Sequence, residues 1–171
     1  MSTTTLTTIN AACDPVEEKL RTFVEGLLGG KITAMQRLLR WRPAWNLELQ
    51  REGETLQLHI RGERGGDVSP FPDLRREADI LTLLGQQGVP VPRIHGFCED
   101  PHAIVMQLVP GSRDVSTAKN DAERRDVARQ WVDAMARMHQ LPLQPFIEQG
   151  IHLPASAEDI TLAGLEAYYP L

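Results

Sequence analysis

The 171-residue sequence predicts an α+β fold: a sheet of about five antiparallel strands carrying a helix, followed by helices only. Three observations predict it. Short runs between Ile32 and Leu108 alternate apolar with polar residues, the period of half-buried strands. The links between the first three runs are too short for parallel crossovers, so those strands form an antiparallel meander. Beyond Gly111 the alternation stops and apolar residues recur at helical spacing, which marks a boundary between residues 14–111 and residues 112–171.

Each element has its own signal. Asp14-Pro15-Val16-Glu17 opens a helix: Asp14 caps it, Pro15 suits the first helical position and Glu17 completes a capping box. Val16, Leu20, Phe23, Val24, Leu27 and Leu28 form its apolar stripe, and Gly29-Gly30 ends it. Ile32 to Arg40 reads as a strand. Trp45, Leu47 and Leu49 then alternate with Asn46, Glu48 and Gln50, and Leu56, Leu58 and Ile60 with Gln57, His59 and Arg61, across a turn at Glu52-Gly53-Glu54. Gly62 to Pro72 reads as a loop. Asp73 caps a second helix over 74–87, with Leu74, Ala78, Leu81 and Leu84 facing inward and Gly88 ending it.

Val89-Pro90-Val91-Pro92 is extended, because each proline excludes the helical region for the residue before it. Two strands follow, 93–97 and 103–108, joined by Glu99-Asp100-Pro101, and Pro110-Gly111 breaks the second. Asn120 and Glu123 open a long helix whose stripe of Val127, Ala128, Trp131, Met135 and Met138 is expected to be core. His139 ends that helix, where a cation complements the dipole. Leu141 to Pro154 reads as a proline-rich connection to a last short helix capped by Ser156 with Asp159. Residues 1–13, rich in Thr and without Lys or Arg, read as a disordered tail and lack the charged start of a signal peptide.

Composition narrows the function. A net charge of −5 gives the chain no bulk electrostatic reason to bind nucleic acid or an anionic membrane. The longest apolar run is four residues, 103–106, against the roughly 20 a membrane-spanning helix needs. Cys13 and Cys98 lie too far apart for a Cys-x-x-Cys site, and a reducing, cytoplasmic compartment is expected. Of the 18 basic residues only Lys19, Lys31 and Lys119 are lysines, so cationic roles fall to Arg.

Several residues are candidates for chemistry. Arg61 shares a strand face with His59. Glu77 borders the apolar stripe of the next helix, and a carboxylate there requires a cation. The two read equally as a structural ion pair or as separate solvated charges. The stretch from Ile104 through Gln107 and Val109 to Pro110-Gly111 leaves extended backbone free to pair with the edge of a purine, or it is a strand ending in a turn. His95, Cys98, Glu99, Asp100 and His102 crowd one hairpin, in a spacing that matches no standard metal site, and no metal site is assigned.

Taken in order, Leu58-His59-Ile60-Arg61, the segment from Arg75 to Leu81, Gly88-Val89-Pro90-Val91-Pro92, Ile104-Val105-Met106-Gln107 with Gly111, and Ala134 to His139 resemble the aminoglycoside-phosphotransferase-like kinases, a group similar to choline kinases and distantly to protein kinases. The resemblance runs from about Lys31 to His139. It implies a kinase-like N-lobe at 14–111, followed by the start of a truncated helical C-lobe. It also implies binding of ATP or GTP with Mg²⁺, and phosphoryl transfer to a hydroxyl on a small molecule held mainly by the missing lobe. Arg61 stands where kinases carry the lysine that contacts the α- and β-phosphates, and Glu77 where its helix partner stands. Met106 falls at the gatekeeper position, Gln107 and Val109 at the hinge, and 40–45, with Arg42, at the phosphate-covering loop. His59 joins this set from the shared strand face.

Two departures stand out. The covering loop has no glycine, where close backbone approach to phosphate favours one. The family's catalytic Asp, followed five residues later by a Mg²⁺-binding Asn, has no match: the residues five before Asn10, Asn46 and Asn120 are Thr5, Trp41 and Val115. The expectation is therefore a nucleotide-binding portion without catalytic residues or metal ligands of its own, inactive alone. The alternative is a non-catalytic kinase-like module that binds a nucleotide or a protein.

Overall fold

A computed structural model describes residues 14–63, 73–112, 114–151 and 153–162. The predicted tail, and the predicted loop from residue 64 on, lie outside those residues. The element order is α1 (Pro15–Leu28), β1 (Lys31–Arg37), β2 (Ala44–Arg51), β3 (Glu54–Gly62), α2 (Leu74–Gln86), β4 (Ile94–Glu99), β5 (His102–Gln107), a 3₁₀ turn (Val115–Thr117), α3 (Asp121–Met138), α4 (Gln144–Glu148) and α5 (Ala157–Leu162). The five strands form one antiparallel sheet in the order β1-β2-β3-β5-β4, the α+β architecture expected.

The turn between β2 and β3 sets the register of the whole site. Arg51 pairs with Glu54, so the loop is only Glu52-Gly53, both with positive φ (50° and 86°). Such a two-residue turn matches the twist of the flanking strands and tolerates glycine best. It places Asn46 opposite His59 and Ala44 opposite Arg61. Because side chains alternate between faces, Trp45, Leu47, Leu49, Leu58 and Ile60 all turn to one side and are buried there with Leu20 and Val24 of α1. Full burial of each large side chain contributes about 1.5–3 kcal/mol, so this layer is the main source of stability.

The second face is divided. Over β4 and β5 it is covered by α2, whose Leu74 and Ala78 pack on Ile104 and Met106. Over β2 and β3 it carries Asn46, Glu48, Gln57, His59 and Arg61 and is left open. β5, with Ala103, Ile104, Val105 and Met106 all buried, is the strand sandwiched by helices on both sides.

Local chemistry departs from expectation in five places. Asp14 caps α1 by accepting from the Val16 amide at 3.0 Å, but Glu17 does not close a box: its carboxylate accepts from the buried Trp45 indole Nε1 at 2.9 Å. A buried indole N–H outcompetes an amide that water can reach. The first strand ends at Arg37, and Trp45 belongs to the core of β2, so the covering loop is 38–43, displaced by two residues from the expected 40–45. Leu81 and Leu84 are only half-buried, since α2 meets the sheet mainly through its first turns.

The stripe on α3 is not core: Trp131 is 64% exposed, and no residue of the helix is buried. Helical periodicity reports an apolar face but not what covers it. Within the proline-rich connection, Gln144–Glu148 forms α4, Pro145 occupying its first turn, where a missing N–H costs nothing. The α3 and α5 starts hold as read: Asn120 Oδ1 accepts from the Glu123 amide at 2.9 Å, and Ser156 Oγ from the Asp159 amide at 3.1 Å.

Candidate nucleotide-binding cleft

The open half of the second sheet face is roofed by the β1–β2 loop. Leu38 N–H donates to Ala44 O at 2.8 Å, and Gly62 N–H donates to Pro43 O at 2.8 Å, tying both ends of the loop to the sheet. Gly62 permits that approach: a Cβ there would lie 3.1 Å from Pro43 Cβ and 3.3 Å from the Trp45 ring. Beneath the loop lie two cavities. One, of about 580 Å³, is lined by Arg40, Trp41, Arg42, His59 and Arg61 among others. The other, of about 610 Å³, is lined by Leu38, Asn46, Gln107, Val109 and Gly111 among others. Arg40 and His59 line both, so the two are compartments of one cleft.

Glu77 is placed by α2. Asp73 starts the helix by accepting from the Arg75 amide at 2.8 Å, and Leu74 and Ala78 clamp it on β5. Glu77, one residue before Ala78, then faces β3. Its Oε1 lies 3.1 Å from Arg61 Nε and its Oε2 lies 3.8 Å from Arg42 Nη1. The Arg61 Nε–H is buried and is not aligned on the carboxylate, so the contact is an ion pair and not a hydrogen bond. Arg61, Glu77 and Arg42 thus meet, two guanidiniums on one carboxylate.

His59 stands where the compartments join. Its Nδ1 lies 2.8 Å from Asn46 Oδ1. An amide oxygen only accepts, so Nδ1 carries the proton and the neutral ring keeps Nε2 as an acceptor. Burial first, then the charges of Arg40 and Arg61, hold its pKa below the ordinary 6.5.

At the far end, Gln107 N–H donates to Arg93 O at 2.8 Å and Leu108 N–H donates to Gln57 O at 3.0 Å. The peptide unit is planar, so the Gln107 carbonyl points opposite to the Leu108 N–H, away from β3. Among the described residues the Val109 amide has no backbone acceptor, and Val109 is 57% exposed. Met106 is 7% exposed and packs against α2, behind the cleft rather than in its lining.

Arg61, Glu77, Arg42, His59, Gln107 and Val109 therefore gather around one cleft. Arg40, the first residue of the expected covering loop, lines both compartments, and sequence reading missed Leu38 and Asn46. Asn46 was within reach: a two-residue turn at Glu52-Gly53 sets it opposite His59. The hairpin polar residues do not converge. Cys98 is buried in the α1 layer, and His102 Nδ1 pairs with Glu63 at 2.6 Å. Among the described residues no three His, Cys, Asp or Glu groups gather at metal distance, and neither compartment of the cleft is lined by a carboxylate. Its walls supply cations, a neutral imidazole and backbone polar groups, which suits an anionic ligand with a flat polar edge. Among the described residues no helix is long and apolar enough to cross a membrane.

Comparisons with known proteins give the chain's relatives. Acyl-CoA dehydrogenase family member 10 of Mus musculus is 27% identical over 164 residues, a match covering 85% of this chain and 15% of that one. A solved structure described as a fructosamine-3-kinase from Thermobifida fusca is 23% identical with a TM-score of 0.41, covering 56% of this chain and 32% of that one. This chain spans less than a third of either. A family model described as the phosphotransferase enzyme family matches residues 50–168. That match takes in β3, α2, β5 and all the helices beyond, well over half of the sequence, and by it the chain belongs to the phosphotransferase enzyme family.

Proposed function

We propose that this chain is the nucleotide-binding part of a small-molecule phosphotransferase that moves the γ-phosphoryl group of ATP or GTP to a hydroxyl acceptor. Residues 14–111 form the nucleotide lobe and residues 112–171 begin a helical lobe. Arg61 holds the phosphates with Glu77 keeping its guanidinium in place, as kinases use a lysine and a helix carboxylate. Gln107 C=O and Val109 N–H read the purine edge, with Met106 behind it. His59 and Arg42 complete the wall between base and phosphates.

Mg²⁺ accompanies nucleotides in such enzymes, where it neutralises charge building on the transferred group. The described residues do not fit a resident metal ion, since none of those lining the cleft is a carboxylate. These 171 residues also contain no Asp followed five residues later by Asn, so this polypeptide alone binds nucleotide without transferring phosphate.

The observation that carries the reading is the Arg61–Glu77 pair at 3.1 Å, set beside a cleft whose described lining is cationic and polar and reaches Gln107 and Val109. Calorimetric titration with ATP and GTP tests it. Binding is expected, and Arg61→Gln is expected to weaken it roughly 10- to 100-fold, the worth of one charge-assisted contact. Failure of both nucleotides to bind, or equal binding by Arg61→Gln, overturns the reading. Turnover onto any hydroxyl acceptor by the purified chain overturns the predicted inactivity.

A further inference from the structure

The covering loop has a basic side chain at two of its six positions and a glycine at none. Within that loop, Arg40 and Arg42 line the compartment that Arg61 also lines, so three guanidiniums surround about 580 Å³ of a chain whose net charge is −5. Glu77 supplies the nearby negative charge, and it is divided: one oxygen faces Arg61 on the sheet and the other faces Arg42 on the loop. The Arg42 contact is the longer of the two, at 3.8 Å against 3.1 Å.

We infer that the loop grips the phosphate chain of the ligand with side-chain guanidiniums in place of glycine-loop backbone amides. In this arrangement Glu77 is a shared counter-ion that holds Arg42 at the wall until a polyanion takes it over. The inference rests on the proposed nucleotide-binding reading and deepens it. A guanidinium meets phosphate oxygens with two parallel N–H groups, so it needs no close backbone approach, and the absence of glycine is then no obstacle. Arg61 is fixed by its strand and by the nearer carboxylate oxygen. Arg42 sits on a loop tied to the sheet through Leu38 and Pro43, and its contact with Glu77 is the looser of the two. Recognition by this grip depends on phosphate charge and not on the base. The class of ligand it selects is therefore a polyphosphate anion, with or without a nucleoside attached.

The test uses inorganic tripolyphosphate and adenosine as separate competitors against ATP bound to the full 171-residue chain. Tripolyphosphate is expected to displace ATP, with an affinity that falls as KCl is raised. Arg42→Gln is expected to weaken tripolyphosphate and ATP about tenfold each and to leave the dissociation constant of adenosine, corrected for the weaker ATP, unchanged. Arg42→Lys, which keeps the charge without the fork, is expected to fall between Gln and Arg. The inference is overturned, with the nucleotide reading intact, if Arg61→Gln weakens ATP while Arg42→Gln leaves tripolyphosphate unaffected. It is also overturned if Arg42→Gln weakens adenosine as much as tripolyphosphate, the mark of a collapsed site. If wild-type chain binds neither ATP nor tripolyphosphate, both readings fall together.

Discussion

Replacing Glu77 by Gln keeps the shape of the side chain and removes the negative charge that faces both Arg61 and Arg42. The expected cost follows from the burial of the three groups. Exposed ion pairs contribute about 0–1 kcal/mol, and breaking a fully buried one costs about 3–5 kcal/mol. Here the side chains of Arg42, Glu77 and Arg61 are 18%, 27% and 39% exposed, so the pairs lie between those limits and are partly screened. About 2 kcal/mol is the resulting estimate, and for a chain of this length that lowers the melting temperature by roughly 4–8 °C.

Thermal unfolding of the wild type, Glu77→Gln, Arg61→Gln, Arg42→Gln and the two double variants gives both coupling energies. Arg61–Glu77 is expected to couple more strongly than Arg42–Glu77, and both couplings to shrink in 1 M salt. A Glu77→Gln variant as stable as wild type, with no coupling to Arg61, refutes the claim that this carboxylate organises the cleft.

Three further outcomes follow from the fold. Gly30→Ala drives a Cβ into Gln50 O at a φ of 111°, and a loss of more than about 2 kcal/mol is expected; Gly26→Ala, in the last turn of α1 and in open space, is expected to gain up to about 0.5–1 kcal/mol, and denaturant titration compares the two. Glu17→Ala strands the buried Trp45 indole N–H at a cost of about 1–3 kcal/mol, whereas Glu17→Gln keeps an acceptor and costs less, as read by chemical unfolding. His59 has a lowered pKa in the folded state, so the unfolded chain takes a proton that the folded chain refuses. Stability is therefore full above pH 6.5 and falls as pH drops from 6.5 through the folded value; melting curves across that window should slope less in His59→Gln, with His95, lowered by burial and by Arg93, keeping part of the slope.

What the sequence made legible was whatever depends on neighbours in the chain. Alternation along β2 and β3 gave the strands and their buried face, because period two admits one inward set. Arg61 and Glu77 were legible as partners because lysine is scarce and a carboxylate beside an apolar stripe needs a cation. Trp45 reads both as the start of the β2 alternation and as the end of the covering loop, and nothing local tells that its indole N–H meets Glu17, 28 positions earlier. Periodicity gives α3 an apolar face and is blind to what lies opposite it, so a stripe that reads as core stands exposed in this chain. The second partner of Glu77 escaped for a similar reason: Arg42 reaches α2 only once the loop is folded over the sheet. The Asn46–His59 contact depended on a single residue of turn length, and reading three turn residues instead of two shifts the register by one.

Amide hydrogen exchange at the hinge, measured by NMR with and without ATP, tests the central claim most directly. The Leu108 amide already bonds Gln57 O and serves as the internal reference, while the Val109 amide has no backbone acceptor among the described residues. ATP is expected to slow exchange at Val109 with Leu108 little changed, and Arg61→Gln to reduce that protection at the same nucleotide concentration. Saturating ATP that leaves Val109 exchanging at its free rate contradicts a nucleotide seated between Arg61 and the hinge.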